Sequence, residues 1–415
     1  MCGTATGLFL FCETLFSLFM SVKQIVVAFG GISPEHEVSV LTAHQAIAAL
    51  KESGKSVIPL YVSKSGRWYT GEVLLDLSRY TDLPKLEKEA LPCTLHRNED
   101  GLPVLLQTGK TGFFSKPMEW PVYAMILAFH GADGENGSFQ GICESFNIAY
   151  TGSGVSGSAL GMDKALAKQI VRQAGLPVVD WVEFREDEWV SDQKKLKTNV
   201  EALGYPVFVK PLSLGSSIGI TKVTEPELLD DAIELAFRYD GRVIIEKAIE
   251  PLLEINCSVL GNATTARASV CEQPRGKNES LSYEDKYLSE PGSTKGMASA
   301  DRIIPAPISE PLTKEIQDLA VAVFRALRAI GLARLDFLVQ PETGKVYFNE
   351  INTIPGSFSF YLWQHSGMSF EVLLNQLIDI ALDERRRKNG RIRSYETNLL
   401  SKKAATGIKG MKLRK

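Results

Sequence analysis

The stretch LARLDFLVQPETGKVYFNEIN, residues 332 to 352, most narrows what this chain can fold into. Two apolar runs flank a Pro-Glu-Thr-Gly break, the pattern of a β-hairpin. A three-residue loop, Glu342-Thr343-Gly344 with the glycine left-handed, is a favoured connection. That register sets Asp336 opposite Glu350 and Arg334 opposite Asn352. Side chains repeat every second residue along a strand, so all four share one face. Two carboxylates and an amide form an oxygen-only cluster. Such a cluster suits a hard cation such as Mg²⁺, completed by substrate phosphates. Arg334 beside it offers a planar fork to a phosphoryl group in transfer. The competing reading is a solvated hairpin face with an ion pair. The apolar remainder of both strands (Leu335, Phe337, Val346, Phe348) argues against it.

At 415 residues the chain is long enough for two or three domains with their own cores. Its 44% apolar and 23% charged residues place it among globular proteins. The six cysteines, at 2, 12, 93, 143, 257 and 271, show no CxxC pair and no Cys/His metal spacing. This points to a reducing compartment, the cytoplasm, and away from zinc. The net charge of −3 conceals an asymmetry: residues 385–415 carry twelve Lys or Arg against Glu396 alone. A basic tail is a solvated end or touches nucleic acid or anionic lipid. Apart from non-specific contacts there, no nucleic-acid or membrane partner is expected. Residues 1–20 include an apolar run of signal-peptide length, but no Lys or Arg precedes it and Glu13 interrupts it. It is short for a membrane span. Met20 directly precedes SVKQIVVAFGG, so the segment reads as an extension ahead of a start site.

IVVAF (25–29), ending in two glycines, reads as a buried parallel strand, and residues 38–50 as an amphipathic helix. SVIPLYVS (56–63) and SKSGRWY suggest a strand and hairpin, whereas 81–118 read as irregular. YAMILAFHG (123–131) is a further buried strand, ending in a polar loop with His130, Asp133 and Glu135. Open α/β sheets keep ligand sites at such strand ends. Gly152, Gly154 and Gly157 match GxGxxG, either a dinucleotide fingerprint or a tight turn into a helix. GYPVFVKP is a strand carrying Lys210, followed by LSLGSSIGI. Gly215 and Gly219 with Ser216 and Ser217 can fold backbone N–H groups over phosphates. RVIIEKAI sets Glu246 and Lys247 at a strand end, and Glu254 opens the next strand. Residues 273–305 read as a functional lid. Phe370, Leu373, Leu374, Leu377, Ala381 and Leu382 form the core stripe of a last helix.

Eight motifs, in order, carry a resemblance. They are GGISPEHEVS (30–39), HGADGENG (130–137), YTGSG (150–154) with MDK (162–164), VKPLSLGSSIG (209–219), IEK (245–247), YEDKYLS (283–289), ARLDF (333–337) and NEINTIPG (349–356). Together they resemble the ATP-grasp enzymes, and within them the D-alanine–D-alanine ligases, over residues 21–382. The resemblance implies an α/β (α+β), three-domain ATP-grasp architecture. Residues 21–162 would form an N-terminal parallel-sheet α/β domain, 163–253 the central grasp domain and 254–384 the C-terminal grasp domain with the metal site. Residues 1–20 and 385–415 would be extensions.

Carried over by motif, Lys164, Lys210, Gly215 and Ser217 would meet the ATP phosphates. Glu246, Lys247 and Ile249 would meet adenine, Glu254 the ribose, and Asn349 would belong to the same nucleotide site. Asp336, Glu350 and Asn352 would hold two Mg²⁺ (or Mn²⁺) ions. Glu35, linked to Ser216 and Tyr287, would hold the ammonium of the first D-alanine, with His130 and Glu135 in the same pocket. Lys286 would close the lid and Arg334 would stabilise oxyanion and phosphate charge. Gly356, Tyr361 and Leu362 would serve the substrates, Tyr361 standing where many relatives have a Ser that binds the second carboxylate. A phenol can donate there too. In the family, ATP phosphorylates one D-alanine carboxylate and the amine of the second attacks the acyl phosphate, giving a peptidoglycan precursor. Relatives are commonly homodimers.

Three rivals follow from the same residues. D-serine or D-lactate could be the second substrate, although Lys286-Tyr287 favours a dipeptide over an ester. A nicotinamide-dependent oxidoreductase built on Gly152–Gly157 would leave the carboxylate hairpin unexplained. An inactive grasp domain tethered to nucleic acid would use the basic tail alone.

Overall fold

The structure is a computed structural model and describes residues 23–109, 116–215, 217–275 and 302–394. The expectations for residues 1–20, Ser216, Lys286, Tyr287 and most of the basic tail lie outside the described residues.

Three sheets form among the described residues. The first joins β1 (Ile25–Gly30), β2 (Val57–Val62), β3 (Trp68–Thr70), β4 (Leu91–Arg97), β5 (Pro103–Gln107), β6 (Glu119–Pro121) and β7 (Ala124–Leu127) in the order β6-β5-β4-β3-β2-β1-β7. Only β2-β1-β7 is parallel; β3 to β6 add an antiparallel wing. Strand β1 is apolar at nearly every position because both its faces are covered. Helix α1 (His36–Glu52) and the long C-terminal helix (Phe370–Asn389) join its core. The stretch 81–118 is less irregular than its sequence suggests. It holds a helix (Leu83–Glu89) and the β4-β5 hairpin, whose few buried positions left little periodicity to read.

The second sheet is antiparallel, β8 (Trp181–Arg185), β9 (Val207–Pro211), β10 (Thr221–Val223) and β11 (Arg242–Lys247), in the order β10-β9-β11-β8. The third comprises β12 (Leu253–Gly261), β13 (Arg267–Pro274), β14 (Arg302–Ile303), β15 (Gly331–Gln340) and β16 (Lys345–Asn352), in the order β14-β13-β12-β15-β16. One of its faces is sealed by helix α2 (Lys164–Gln173) and helix α3 (Glu310–Ala326). Asp163 caps α2 through the Leu166 N–H, and Ser309 caps α3 through the Leu312 N–H with Pro311 in the first turn. The opposite face looks toward the second sheet across a cavity.

The hairpin forms as expected in pairing, not in detail. Its loop has four residues, Pro341 to Gly344, since Gln340 pairs with Lys345. A bulge at Asn349 then shifts the register by one, so Asp336 meets Glu350 and Arg334 meets Asn352. Without the bulge Asp336 would face Asn349, and Glu350 would turn to the α2 side. Val346, Phe348 and Ile351 are buried there instead.

One further expectation changes. The basic segment begins inside the last helix: Arg385 donates to the Tyr123 carbonyl and Lys388 pairs with Glu144, so its first turn is docked on the first sheet's domain. The Gly152–Gly157 turn is a packing turn, with Gly157 against the Arg328 carbonyl. No helix among the described residues is long and apolar enough to cross a membrane.

Candidate active site

Two adjoining cavities meet at the end of the hairpin. The first lies between the second and third sheets and includes Lys210, Gly215, Ser217, Glu246, Glu254 and Asp336 in its lining. Lys247, Ile249, Asn349, Glu350 and Arg334 line it too. The second lies toward the N-terminal sheet, bounded by Glu35, His130, Glu135, Lys164, Asn352 and Gly356. Arg334, Glu350 and Gly215 border both. Thus residues from distant parts of the chain line two adjoining cavities.

At the junction Arg334 donates through Nε and Nη2 to both oxygens of Asp336, each at 2.7 Å. Asn352 Nδ2 donates to Asp336 at 3.2 Å, leaving its carbonyl oxygen as a cation donor. The Lys164 ammonium lies 3.5 Å from Glu350 and donates to the Leu214 carbonyl at 2.5 Å. Among the described residues no three His, Cys, Asp or Glu gather into a metal cluster. Two carboxylates and an amide oxygen fit a hard cation that takes its remaining ligands from phosphate and water. The Arg334 fork is half committed to Asp336, so it reaches a substrate only with its remaining N–H groups.

Glu246 is 2% exposed and bridges two lysines, Lys210 at 2.8 Å and Lys168 at 3.1 Å. Burial alone would raise its carboxyl; the two ammonium groups overcome this and hold it at about 2. Burial lowers Lys168, with Glu246 opposing; for Lys210 the same carboxylate outweighs burial and raises it. Lys168 also donates to the Asn349 carbonyl at 2.9 Å, tying α2 to the bulge. Sequence reading passed over Lys168. Its signal was a lysine on the buried face of α2, one turn after Lys164.

In the second cavity Glu135 accepts from the Gly131 and Ile354 N–H groups, both at 3.1 Å. Burial, then the neighbouring Glu35, pushes it up to about 7. His130 is hydrogen-bonded to Thr42 at 2.9 Å, and burial lowers it to about 4, so it is neutral at pH 7. Glu35, Glu135 and Arg334 share this cavity, a set that suits a small zwitterion, with acid for its ammonium and guanidinium for its carboxylate. Gly215 lies so near Glu35 that a Cβ there would sit 3.3 Å from its carboxylate.

Tyr361 and Leu362 are not brought to either lining. Leu362 is fully buried, and the Tyr361 phenol donates to Glu272 at 3.4 Å. Glu272, Asn256 and Arg302, which line the first cavity, were not singled out from sequence. Asn256 follows Glu254 at strand spacing, which was the available clue.

Comparison with known proteins bears directly on this arrangement. Residues 24–153 match the family described as D-ala D-ala ligase N-terminus, and 170–379 that described as D-ala D-ala ligase C-terminus. The chain belongs to the D-alanine–D-alanine ligase family. A D-alanine–D-alanine ligase from Thermosipho melanesiensis is 38% identical over 377 residues, covering 91% of this chain and 98% of the relative. Another from Thermoanaerobacter sp. is 38% identical over 376 residues, 89% of this chain and 99% of the relative. The D-alanine–D-alanine ligase structure from Coxiella burnetii superposes with a TM-score of 0.74 at 30% identity, over 92% of this chain and 99% of that one. VanG D-Ala:D-Ser ligase from Enterococcus faecalis gives 0.72 at 33% identity, over 86% and 99%. Membership of this family implies ATP and a divalent metal.

Proposed function

We propose that this chain is an ATP-dependent D-alanine–D-alanine ligase acting through an acyl phosphate. One observation carries the reading: Arg334 and Glu350 border both cavities, and Asp336 lies beside them, paired with Arg334. A carboxylate at that junction lies within reach of both a triphosphate and the groups that orient it.

Glu35 holds the ammonium of the first D-alanine, with His130 and Glu135 in the same pocket, and the remaining Arg334 N–H groups hold its carboxylate. Lys210 and Lys164 draw the triphosphate toward it, while Glu246, Lys247 and Ile249 receive the base and Glu254 the ribose. Asp336, Glu350 and Asn352 would hold two Mg²⁺ (or Mn²⁺) ions, which supply charge neutralisation for the phosphates. The carboxylate oxygen attacks the γ-phosphorus and ADP leaves; Arg334 offsets charge on the oxygens in transfer. The second amine then adds to the acyl phosphate, and the tetrahedral intermediate expels inorganic phosphate. Positioning supplies most of the acceleration, since phosphoryl transfer asks little covalent chemistry of a protein. Ser216, Tyr287 and Lys286 are assigned to the closing lid and the first-substrate network on the motif resemblance alone. We further assign the enzyme to the cytoplasm as a homodimer feeding peptidoglycan precursor synthesis, with domain divisions at 162/163 and 253/254.

The test is ADP release and product analysis with ATP, Mg²⁺ and a panel of D- and L-amino acids plus D-lactate. D-alanine alone should support turnover and yield D-alanyl-D-alanine. Release that needs D-serine or D-lactate would move the second substrate to that compound. No ADP release with any member would sink the reading.

A further inference from the structure

One end of the nucleotide cavity holds a charge cluster that the mechanism leaves unused. Glu272, on β13 and 1% exposed, accepts from Asn256 Nδ2 at 3.1 Å, from the Tyr361 hydroxyl at 3.4 Å and from Arg302 Nη1 at 2.8 Å. The Arg302 guanidinium also lies over the Tyr361 ring, 3.9 Å from its centroid. Its side chain is 8% exposed, yet it lines the same cavity as Arg334 and Asp336. A guanidinium fixed by a carboxylate and by an aromatic face has a set orientation. Burying such a pair is a poor route to stability when apolar residues would fill the space as well.

Its place in the sheet narrows what it could bind. Glu272, Asn256, Asp336 and Glu350 lie directly opposite one another on β13, β12, β15 and β16, one polar row across the sheet. The first-substrate pocket adjoins the β16 end of that row, through Glu350, Asn352 and Gly356. The acyl phosphate must form at the middle, beside Arg334 and Asp336. An attacking amine has to arrive from a side other than the first-substrate pocket, and the β13-β14 end, which that pocket does not reach, is such a side. An amino acid with its amine at the middle of the row carries its carboxylate toward that end, where Arg302 stands.

We propose that Arg302, steadied by Glu272 and by the ring of Tyr361, binds the carboxylate of the second amino acid and selects acceptors bearing one. The assignment rests on the ligase reading. It gives Tyr361 a different part from the one its sequence position suggested: a positioning residue that stacks on Arg302, rather than the donor to the carboxylate.

D-alaninamide separates the possibilities, because it keeps the amine and methyl but has no carboxylate to be phosphorylated or to be bound by Arg302. The enzyme is given ATP, Mg²⁺, D-alanine and D-alaninamide together, and D-alanyl-D-alanine and D-alanyl-D-alaninamide are quantified in one mixture. Their ratio reports acceptor choice independently of overall rate. The wild-type chain should favour the free acid strongly. Arg302→Met should lower the ratio about tenfold or more, the scale of one lost charge-assisted contact. Arg302→Lys, which keeps a cation beside Glu272, should fall between and decides the matter if the Met variant does not fold. A merely structural Arg302 would depress both products and leave the ratio unchanged in the variants, and that result overturns the proposal. A wild-type chain that makes neither product overturns the ligase reading instead.

Discussion

Glu135 shows how much one carboxylate depends on its surroundings. In an unfolded chain Glu135 titrates in the ordinary acid range. In the fold Glu135 holds its proton up to about 7, because burial and Glu35 disfavour its charge. A raised carboxyl pKa costs stability as pH climbs from the unfolded value, near 4.5, toward 7, since the folded state then binds more protons than the unfolded one. The lowered His130 and His44 act oppositely over about 4 to 6.5. The informative quantity is therefore the difference between variant and parent. Glu135→Gln should gain on the parent between pH 5 and pH 8, by about 2 kcal/mol after allowance for solvent in a partly open site. Melting curves at four pH values check this, and a constant offset would contradict it. Glu350→Gln should reduce turnover by about a hundredfold or more with melting temperature within a few degrees of the parent, because it removes charge from the cation-binding face. ADP release at saturating Mg²⁺ reads the first quantity, and turnover matching the parent's would dismiss Glu350 as a metal ligand.

At the scale of elements, Lys168 of α2 ties that helix to the hairpin through the Asn349 carbonyl. The sequence showed the hairpin and the pairing of Asp336 with Glu350, because alternation and the Pro-Glu-Thr-Gly break are local signals. It did not show that the loop is one residue longer and that Asn349 bulges, two displacements that cancel at the site. A bulge is stabilised by what packs on either side, here Phe348 and Ile351 in the core and Lys168 on the Asn349 carbonyl. Deleting Asn349 removes the unpaired residue and leaves Asp336 opposite Glu350 in a regular ladder, so turnover should fall less than in Glu350→Gln while the far-ultraviolet circular dichroism is retained. A loss of turnover as large as that of Glu350→Gln would mean that the bulge itself is required. Lys168→Met leaves Glu246 buried with Lys210 as its remaining lysine partner; unfolding in urea should show a loss of about 3 kcal/mol. A loss under 1 kcal/mol would show that Lys210 suffices.

Across the whole molecule, the site exists because three sheets close on one another. Gly157 packs its helix against the turn before β15, where an added Cβ would lie 2.7 Å from the Arg328 carbonyl. Backbone cannot step aside as a flexible side chain can, so Gly157→Ala should lower the melting temperature by several degrees, an overpacking cost of about 1 to 3 kcal/mol. An unchanged melting temperature would place the contact in a region that gives. Binding across the sheets also couples to folding. ATP with Mg²⁺ at a hundred times its dissociation constant should stabilise the chain by about 2.7 kcal/mol, while NAD(P) should not. The reverse ranking would revive the nicotinamide reading of Gly152–Gly157, which the packing role of that turn does not support.

The sequence by itself determined the reaction class. Its motifs are short, local and chemically demanding, and strand alternation alone aligns Arg334 with Asp336 two residues on. The tertiary structure decided which distant groups become neighbours. Glu35 beside Gly215, Lys168 under Glu246, and Arg302 over Tyr361 each join segments whose separation along the chain carries no periodic trace. Their energies come from burial and charge pairing that arise only after the sheets have packed.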